Sequence, residues 1–401
     1  VDAQSLLGLT PLALSGVAYA AMMGTCAAGV VRARRTTAWK LSGRAPRVSI
    51  LKPLAGADDD LDDNVASFGA LTYPDYEIVF GVASRTDAAV EVAKRFMAVH
   101  PGRARLVFTD PANAINPKVA QLIDLARQAT GEVFVVSDSN VRVEPAYIES
   151  LVCELERPSS PRVGLVTSVF VGSGEQSIGA ALENLQLCGV TAPGIVATNL
   201  LTRWPLTVGK SMAMRRDDLA RMGGFERFGA LLAEDQALGD AFLAAKLGVR
   251  TSLAAVHNRN TTCSVKRTLE RHTRWAKLRR SLHPAVFLFE PLLSPLVVAA
   301  ACAVVTPSQT TLAIAGVVAV LQTLVTTSLM ALLRGRALAW KYAPLEVLRT
   351  FLLLGCWAAA CFSMRIQWRG HPFVLKRGSV IVPAAPTVWA SVWARVRSAR
   401  A

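Results

Sequence analysis

Three separated acidic positions and one basic aromatic segment are the parts of this chain whose residue types and spacing could do chemistry: Asp87, Asp138, the pair Glu234-Asp235, and Arg271-His272-Thr273-Arg274-Trp275. On a helix, Arg271 and Arg274 share a face with an indole beside the second, so two fixed cations and a flat apolar surface point the same way. Such a face suits a diphosphate. Asp138 ends the apolar run Val133-Phe134-Val135-Val136-Ser137, with Ser139 and Asn140 beside it. Hard oxygen donors at the open end of a strand suit Mg²⁺ or Mn²⁺ shared with a nucleotide diphosphate. An Asp that only caps the following helix would leave the same letters. Adjacent acids in a helix point in different directions, so one of Glu234 and Asp235 is expected to face a crevice. There a carboxylate could deprotonate an attacking hydroxyl, although acids also gather at helix N-termini for the dipole alone. Lys118 reads equally as a diphosphate contact or a surface lysine, and His272 as a polar surface residue.

The elements that must position these residues alternate in type. Short β-branched runs at 48–51, 77–82, 105–108, 133–137 and 163–170 are separated by helical stretches at 60–69, 88–99, 117–129 and 144–156. Strand and helix alternating at that spacing predict an α/β fold with a mostly parallel sheet covered on both faces. Ligands of such sheets bind beyond the carboxyl ends of the strands. Asp87 falls a few residues past the second run and Asp138 immediately past the fourth, so both can reach one crevice.

Apolar residues make up 52% of the 401, above the share usual for a soluble domain, and the excess lies at the ends. Residues 6–31 carry no charge, and about 20 apolar residues suffice to cross a bilayer core. Arg32, Arg34, Arg35 and Lys40 come directly after them, which predicts a retained anchor with the chain beyond it in the cytoplasm. A secretory signal peptide would carry its basic cluster before the apolar core. Further spans are expected at 312–333 and 345–364, and a third apolar segment at 292–305, interrupted by Pro291 and Pro295, is expected to cross or re-enter. Glu346 and Arg349 in the last span read as a paired helix start or as the wall of a head-group cavity. The expected organisation is an anchor over 1–31, a catalytic domain over 45–284 ending in a basic interfacial helix over 266–280, membrane or re-entrant helices over 285–370, and a basic tail over 371–401. The net charge of +15 gathers beside the apolar segments, which fits an anionic leaflet rather than nucleic acid. Seven cysteines with no C-x-x-C exclude a zinc site and fit free thiols in a reducing compartment.

Taken in order, Asp87, Asp138, Asp235 and Arg271-x-x-Arg274-Trp275 resemble the D, D, D, (Q/R)xxRW signature of processive and lipid-directed family-2-type glycosyltransferases. The similarity is greater still to the ceramide glucosyltransferase family. It runs through Ile50-Leu51-Lys52-Pro53-Leu54, Asn116-Pro117-Lys118, Ser137-Asp138-Ser139 with Val141-Arg142-Val143, Gly209-Lys210-Ser211-Met212, Ala233-Glu234-Asp235 and Arg274-Trp275-x-Lys277-Leu278-Arg279, and continues loosely to Trp368-Arg369-Gly370. The resemblance implies a GT-A, Rossmann-like cytosolic domain flanked by one N-terminal and two to three C-terminal transmembrane helices. It implies inverting transfer of a hexose, most often glucose, from a UDP-sugar to the primary hydroxyl of ceramide. Asp87 would contact the nucleotide, Asp138 the Mg²⁺ or Mn²⁺ bridging the diphosphate, and Asp235 would be the general base. Arg271, Arg274 and Trp275, with Lys118 near them, would hold the diphosphate and line the acceptor entrance. The implied setting is a multi-pass protein of a bacterial inner membrane, monomer or homodimer, with its catalytic domain cytoplasmic. Two departures stand out: no histidine occurs between His100 and His257, where animal members carry one near Thr191-Ala192-Pro193, and Asn140 replaces a second aspartate common among transferases.

Three other readings compete. A sister transferase would act on a hopanoid or diacylglycerol, and a processive polysaccharide synthase would need more spans to build a polymer channel. A membrane-anchored binding protein would use its acids only as caps and would not depend on Asp235.

Overall fold

The computed structural model of the protein describes residues 3–36, 41, 43–56, 60–202, 204–368 and 371–384. Lys40, Arg369, Gly370 and the end of the expected tail lie outside the described residues.

The central element is an eight-stranded sheet in the order β3-β2-β1-β4-β7-β6-β8-β5. Its strands are β1 Val48–Pro53, β2 Tyr76–Val82, β3 Ala104–Phe108, β4 Val133–Ser137, β5 Val141–Arg142, β6 Val163–Ser173, β7 Ser211–Arg215 and β8 Gly248–Arg259. Strands β3, β2, β1 and β4 are mutually parallel, as are β6 and β8, while β7 and β5 run against their neighbours. The period-2 side-chain alternation sends the apolar residues of β1 and β4 into two layers. Ile50 and Val135 enter one core layer, whereas Leu51, Phe134 and Val136 enter the other. Helices Ala89–Val99, Pro117–Gln128 and Tyr147–Glu156 cover the two faces as the alternation predicts.

One antiparallel pairing matters for chemistry. Because β7 runs opposite to β4, Ser211 pairs with Ser137, and the residues just outside that pair, Lys210 and Asp138, meet at the carboxyl edge, where Asp138 N donates to Lys210 O at 3.2 Å.

Among the described residues, three helical segments are long and apolar enough to cross a membrane: Thr10–Arg35, Gln309–Arg334 and Trp340–Phe362. The segments Pro284–Leu293 and Pro295–Val305 join at a bend of 76°. The second is 11 residues long, a rise of about 17 Å, so by itself it falls short of a core of about 30 Å. Glu346 and Arg349 resolve as a buried ion pair, with Arg349 Nε 2.9 Å from Glu346 Oε2, completed by Gln322 and Thr350. Every charge in it has a partner, so it is packing rather than an open cavity wall.

The start of the expected basic tail forms strands instead. Strands β9 Arg365–Trp368, β10 His371–Leu375 and β11 Ile381–Pro383 form a second, antiparallel sheet. Ile366, Phe373, Leu375 and Ile381 bury themselves against Leu232. Leu232 N donates to Ser379 O at 2.8 Å and Ile381 N to Ala230 O at 2.9 Å, so this sheet braces the loop leading into Glu234-Asp235.

Candidate active site

Each member of the site is placed by a local rule. Helix Pro117–Gln128 opens with Pro117 at its first position and Asn116 as N-cap, whose side chain accepts from the N–H groups of Lys118 and Val119. That cap holds Lys118 in the first turn, facing the edge of the sheet. Helix Glu234–Ala244 starts with the two acids in its first turn, and Asn116 Nδ2 reaches across to Leu231 O at 2.7 Å and Glu234 Oε2 at 3.3 Å.

Lys118 is the hub. Its Nζ lies 2.9 Å from Asp138 Oδ1, 3.0 Å from Glu234 Oε1 and 3.0 Å from Gly209 O. Lys210 grips the other oxygen of Asp138 at 3.1 Å and Asn140 Oδ1 at 2.7 Å. The fully buried Lys52 donates to Asp138 O at 2.8 Å. Asp235 accepts two backbone N–H groups, from Gly209 at 2.7 Å and from Gln236 at 2.8 Å. The expectation that only one of the adjacent acids faces the crevice is therefore corrected. Glu234 Oε1 pairs with the Lys118 ammonium, which also donates to Gly209 O, while Asp235 Oδ2 accepts from Gly209 N, so the two acids straddle the Lys118–Gly209 contact.

The electrostatics result from this crowding. Burial works against the charge of Asp138, but Lys118 and Lys210 outweigh it and hold the carboxyl well below the usual carboxylate range. Burial likewise opposes Lys118, yet Asp138, Glu234 and Asp235 keep its ammonium above the ordinary lysine range. Burial depresses Lys210, and the nearby charge of Arg271 adds to that against the pull of Asp138. Asp235 goes the other way: burial, reinforced by Glu234, raises its carboxyl to about 6, against the pull of Lys118 and the two N–H donors. Two carboxyls of one cluster with opposed shifts could serve as a permanent anion and a proton acceptor.

Gly209 is required by space. A Cβ there would stand 2.6 Å from Lys118 Nζ and 3.2 Å from Asp235 Oδ2. Gly209→Ala is expected to push Lys118 out of the cluster and lower turnover by about 10- to 100-fold, the usual penalty for misplacing reacting groups by about 1 Å, with an unchanged circular dichroism spectrum. Steady-state rates on the purified variant check this.

The remaining candidates sit on other elements. The Asp87 carboxylate ties the start of helix Ala89–Val99 to the loop after β1, accepting from Ala89 N at 2.9 Å and Gly56 N at 2.9 Å. Arg271, Arg274 and Trp275 sit on helix Val265–Leu282. Arg271 Nη1 is 2.8 Å from Glu183 Oε1, and its effect on Lys210 places its charge at the same crevice. Trp275 is partly buried and packs against the main core, with its ring edge-on to His272 at 5.2 Å. His272, expected at the surface, is 2% exposed because its Nε2 lies 3.0 Å from the buried Glu183. Sequence reasoning did not assign Lys210, Lys52 or Glu183 to the site. The stretches Gly209-Lys210-Ser211 and Ile50-Leu51-Lys52 carried the signal for the first two; nothing marked Glu183.

A mostly parallel sheet whose carboxyl edge carries paired carboxylates and cations, joined to apolar helices, is the architecture of a membrane-attached GT-A glycosyltransferase. Among solved structures, mannosyltransferase PcManGT from Pyrobaculum calidifontis, in complex with GDP-Man and Mn²⁺, superposes with a TM-score of 0.50 over 88% of this chain and 99% of its own, at 19% identity. The model of glycosyl transferase family 21 matches residues 8–381, and the chain belongs to that family. Ceramide glucosyltransferase 3 of Caenorhabditis elegans is 29% identical over 363 residues, covering 84% of this chain and 74% of the relative. Ceramide glucosyltransferase 1 of the same organism is 27% identical over 248 residues, 62% of this chain and 53% of the relative.

Proposed function

We propose that the protein transfers a hexose, glucose in the first instance, from a UDP-sugar to the primary hydroxyl of ceramide with inversion at the anomeric carbon. The observation that carries this reading is the cluster of Asp138, Lys118 and Asp235 at the carboxyl edge of the sheet, beside the Arg271-to-Trp275 helix that leads directly into the apolar segments. Asp235 takes the hydroxyl proton as the new glycosidic C–O bond forms on the face opposite the departing diphosphate. Arg271 and Arg274 bind that diphosphate, Lys118 lies beneath it, Asp87 meets the nucleoside, and Trp275 lines the acceptor entrance. The likeness to two ceramide glucosyltransferases supports the acceptor.

The acidic residues also bear on a metal. Among the described residues no group of three His, Cys, Asp or Glu could hold an ion, so Asp138 would be a lone protein carboxylate completing its shell with diphosphate oxygens. Both of its oxygens are held by lysines, Lys118 and Lys210, so a shared Mg²⁺ or Mn²⁺ would enter with the anionic diphosphate and take the place of one of these ammonium groups. Such an ion, when bound, would neutralise charge on the departing UDP.

Placement at the membrane rests on the same residues. Helix Val265–Leu282 passes into Pro284–Phe289, where Val286, Leu288 and Phe289 are each more than 60% exposed. We place these in the cytosolic leaflet of a bacterial inner membrane, with the catalytic domain on the side of Arg32, Arg34 and Arg35. Ceramide then presents its hydroxyl without leaving the bilayer.

The test offers membranes containing the protein labelled UDP-sugars with ceramide, a hopanoid or diacylglycerol, in Mg²⁺, in Mn²⁺ and in chelator. Metal-dependent labelling of ceramide is the expected outcome, and labelling of another lipid alone would move the acceptor. The pH dependence is set by Asp235: a base must be deprotonated, and its carboxyl titrates at about 6. Accordingly kcat/KM should rise with pH through about 6 and level off above it. A pH–rate profile flat from 5 to 8 would remove Asp235 as the base.

A further inference from the structure

Helix Ile178–Gln186 is sequestered along nearly its whole length: every residue from Gly179 to Gln186 is buried. It carries polar groups that an apolar helix would have replaced. Each takes a partner from a different element. Glu183, with no exposed surface, meets Arg271 Nη1 at 2.8 Å and His272 Nε2 at 3.0 Å. Gln186 Oε1 accepts from Arg349 Nη1 at 2.6 Å, inside the last apolar span. Glu175, just before the helix, takes both Nη atoms of Arg334 at 2.9 Å, at the end of the preceding span. The helix also lies against the chain leading into Val265–Leu282: a Cβ on Gly179 would stand 2.3 Å from Cys263 O, and Thr268 Oγ1 donates to Gly179 O at 3.0 Å.

We infer that Glu183 is a positioning residue for the transferase site, aiming the Arg271 guanidinium at the donor diphosphate and fixing Trp275 through His272, on a helix that Gln186 and Glu175 tie to the membrane spans. The inference rests on the proposed role of Arg271. Three observations support it. A buried carboxylate costs free energy unless its partners are excellent, and both partners here belong to the Arg-x-x-Arg-Trp segment. His272 and Arg271 also hold the Glu183 carboxyl down to about 2 against burial, so it stays charged at any working pH. Finally, His272 presents its ring to the indole of Trp275, so one carboxylate governs the donor side and the acceptor side of the same helix.

The experiment compares wild type, Glu183→Gln, Glu183→Asp, Arg271→Lys and the double variant Glu183→Gln/Arg271→Lys as full-length protein in lipid nanodiscs. Steady-state KM for donor and acceptor, and UDP binding by calorimetry, are measured on each. Glu183→Gln should raise the donor KM and weaken UDP binding by about tenfold or more, the scale of losing one charged buried hydrogen bond. In the double variant, most of the Arg271→Lys effect should already be spent, because coupled residues are not additive. Should Glu183→Gln fail to fold, Glu183→Asp keeps the charge but withdraws it, and a several-fold rise in donor KM is expected. A donor KM within twofold of wild type in whichever Glu183 variant folds overturns the inference, as do single-variant effects that simply multiply. If Arg271→Lys itself leaves donor KM and UDP binding unchanged, the role of Arg271 is wrong; if only Glu183 is silent, the positioning inference alone fails.

Discussion

Asp235→Asn is expected to reduce sugar transfer by about 10²- to 10⁴-fold, the contribution typical of a positioned general base, while UDP affinity stays within about threefold because the shape is kept. Asparagine occupies the same volume and still accepts one of the two N–H groups from Gly209 and Gln236 that orient the carboxylate. What it loses is proton affinity at the oxygen facing the acceptor. Lys118 keeps Asp138 and Glu234 as partners, so the diphosphate side of the crevice is undisturbed. Turnover under saturating donor, read beside calorimetric UDP binding, separates the two quantities. Transfer within tenfold of wild type would mean that another group takes the proton.

Lys118→Met is expected to be the second largest change, and it acts through charge rather than contact. The ammonium is the shared cation of three buried or half-buried carboxylates, and Asp235 already titrates at about 6 with Lys118 in place. Without it, the carboxyl of Asp235 moves higher, so the base is protonated over more of the neutral range. The acid limb of kcat/KM should therefore shift upward by a unit or so, about 1.4 kcal/mol of lost interaction per unit. Activity at pH 7 should fall much further than activity at pH 9. Breaking a buried pair by removing one partner also costs about 3–5 kcal/mol, so the melting temperature should drop as well. A pH–rate profile with the wild-type limb would show that Lys118 is not coupled to the base.

Periodicity located β1 to β4 and β6 because each carries a short cluster of apolar, mostly β-branched or aromatic residues, and all but the half-buried β3 are buried on both faces. It missed β7, whose Ser-Met-Ala-Met-Arg sequence has no such run, and β8, in which Arg250, Thr251, His257 and Asn258 interrupt the apolar pattern. Those two strands matter because β7 sets Lys210 against Asp138. The sheet over 365–383 was hidden by its flanking cations, Arg365, Lys376 and Arg377, which read as a leaflet-binding tail although the apolar positions between them close over Leu232. At the site, the chain showed which residue types stood in which order, but not what they faced. Lys118 looked as much like surface as like ligand until Asn116 fixed it in the first helical turn. Glu183 carried no local mark, since its significance lies in two partners nearly ninety residues away.

The most direct test of the account is the chemistry of the product made from α-linked UDP-glucose and ceramide. Mass spectrometry of the extracted lipid should find one hexose on the long-chain amide, and proton NMR should find its anomeric bond in the β configuration, absent when Asp235→Asn replaces wild type. An α-linked product, or UDP release with no sugar on any lipid, would contradict single-displacement transfer by the Asp235 carboxylate to a ceramide hydroxyl.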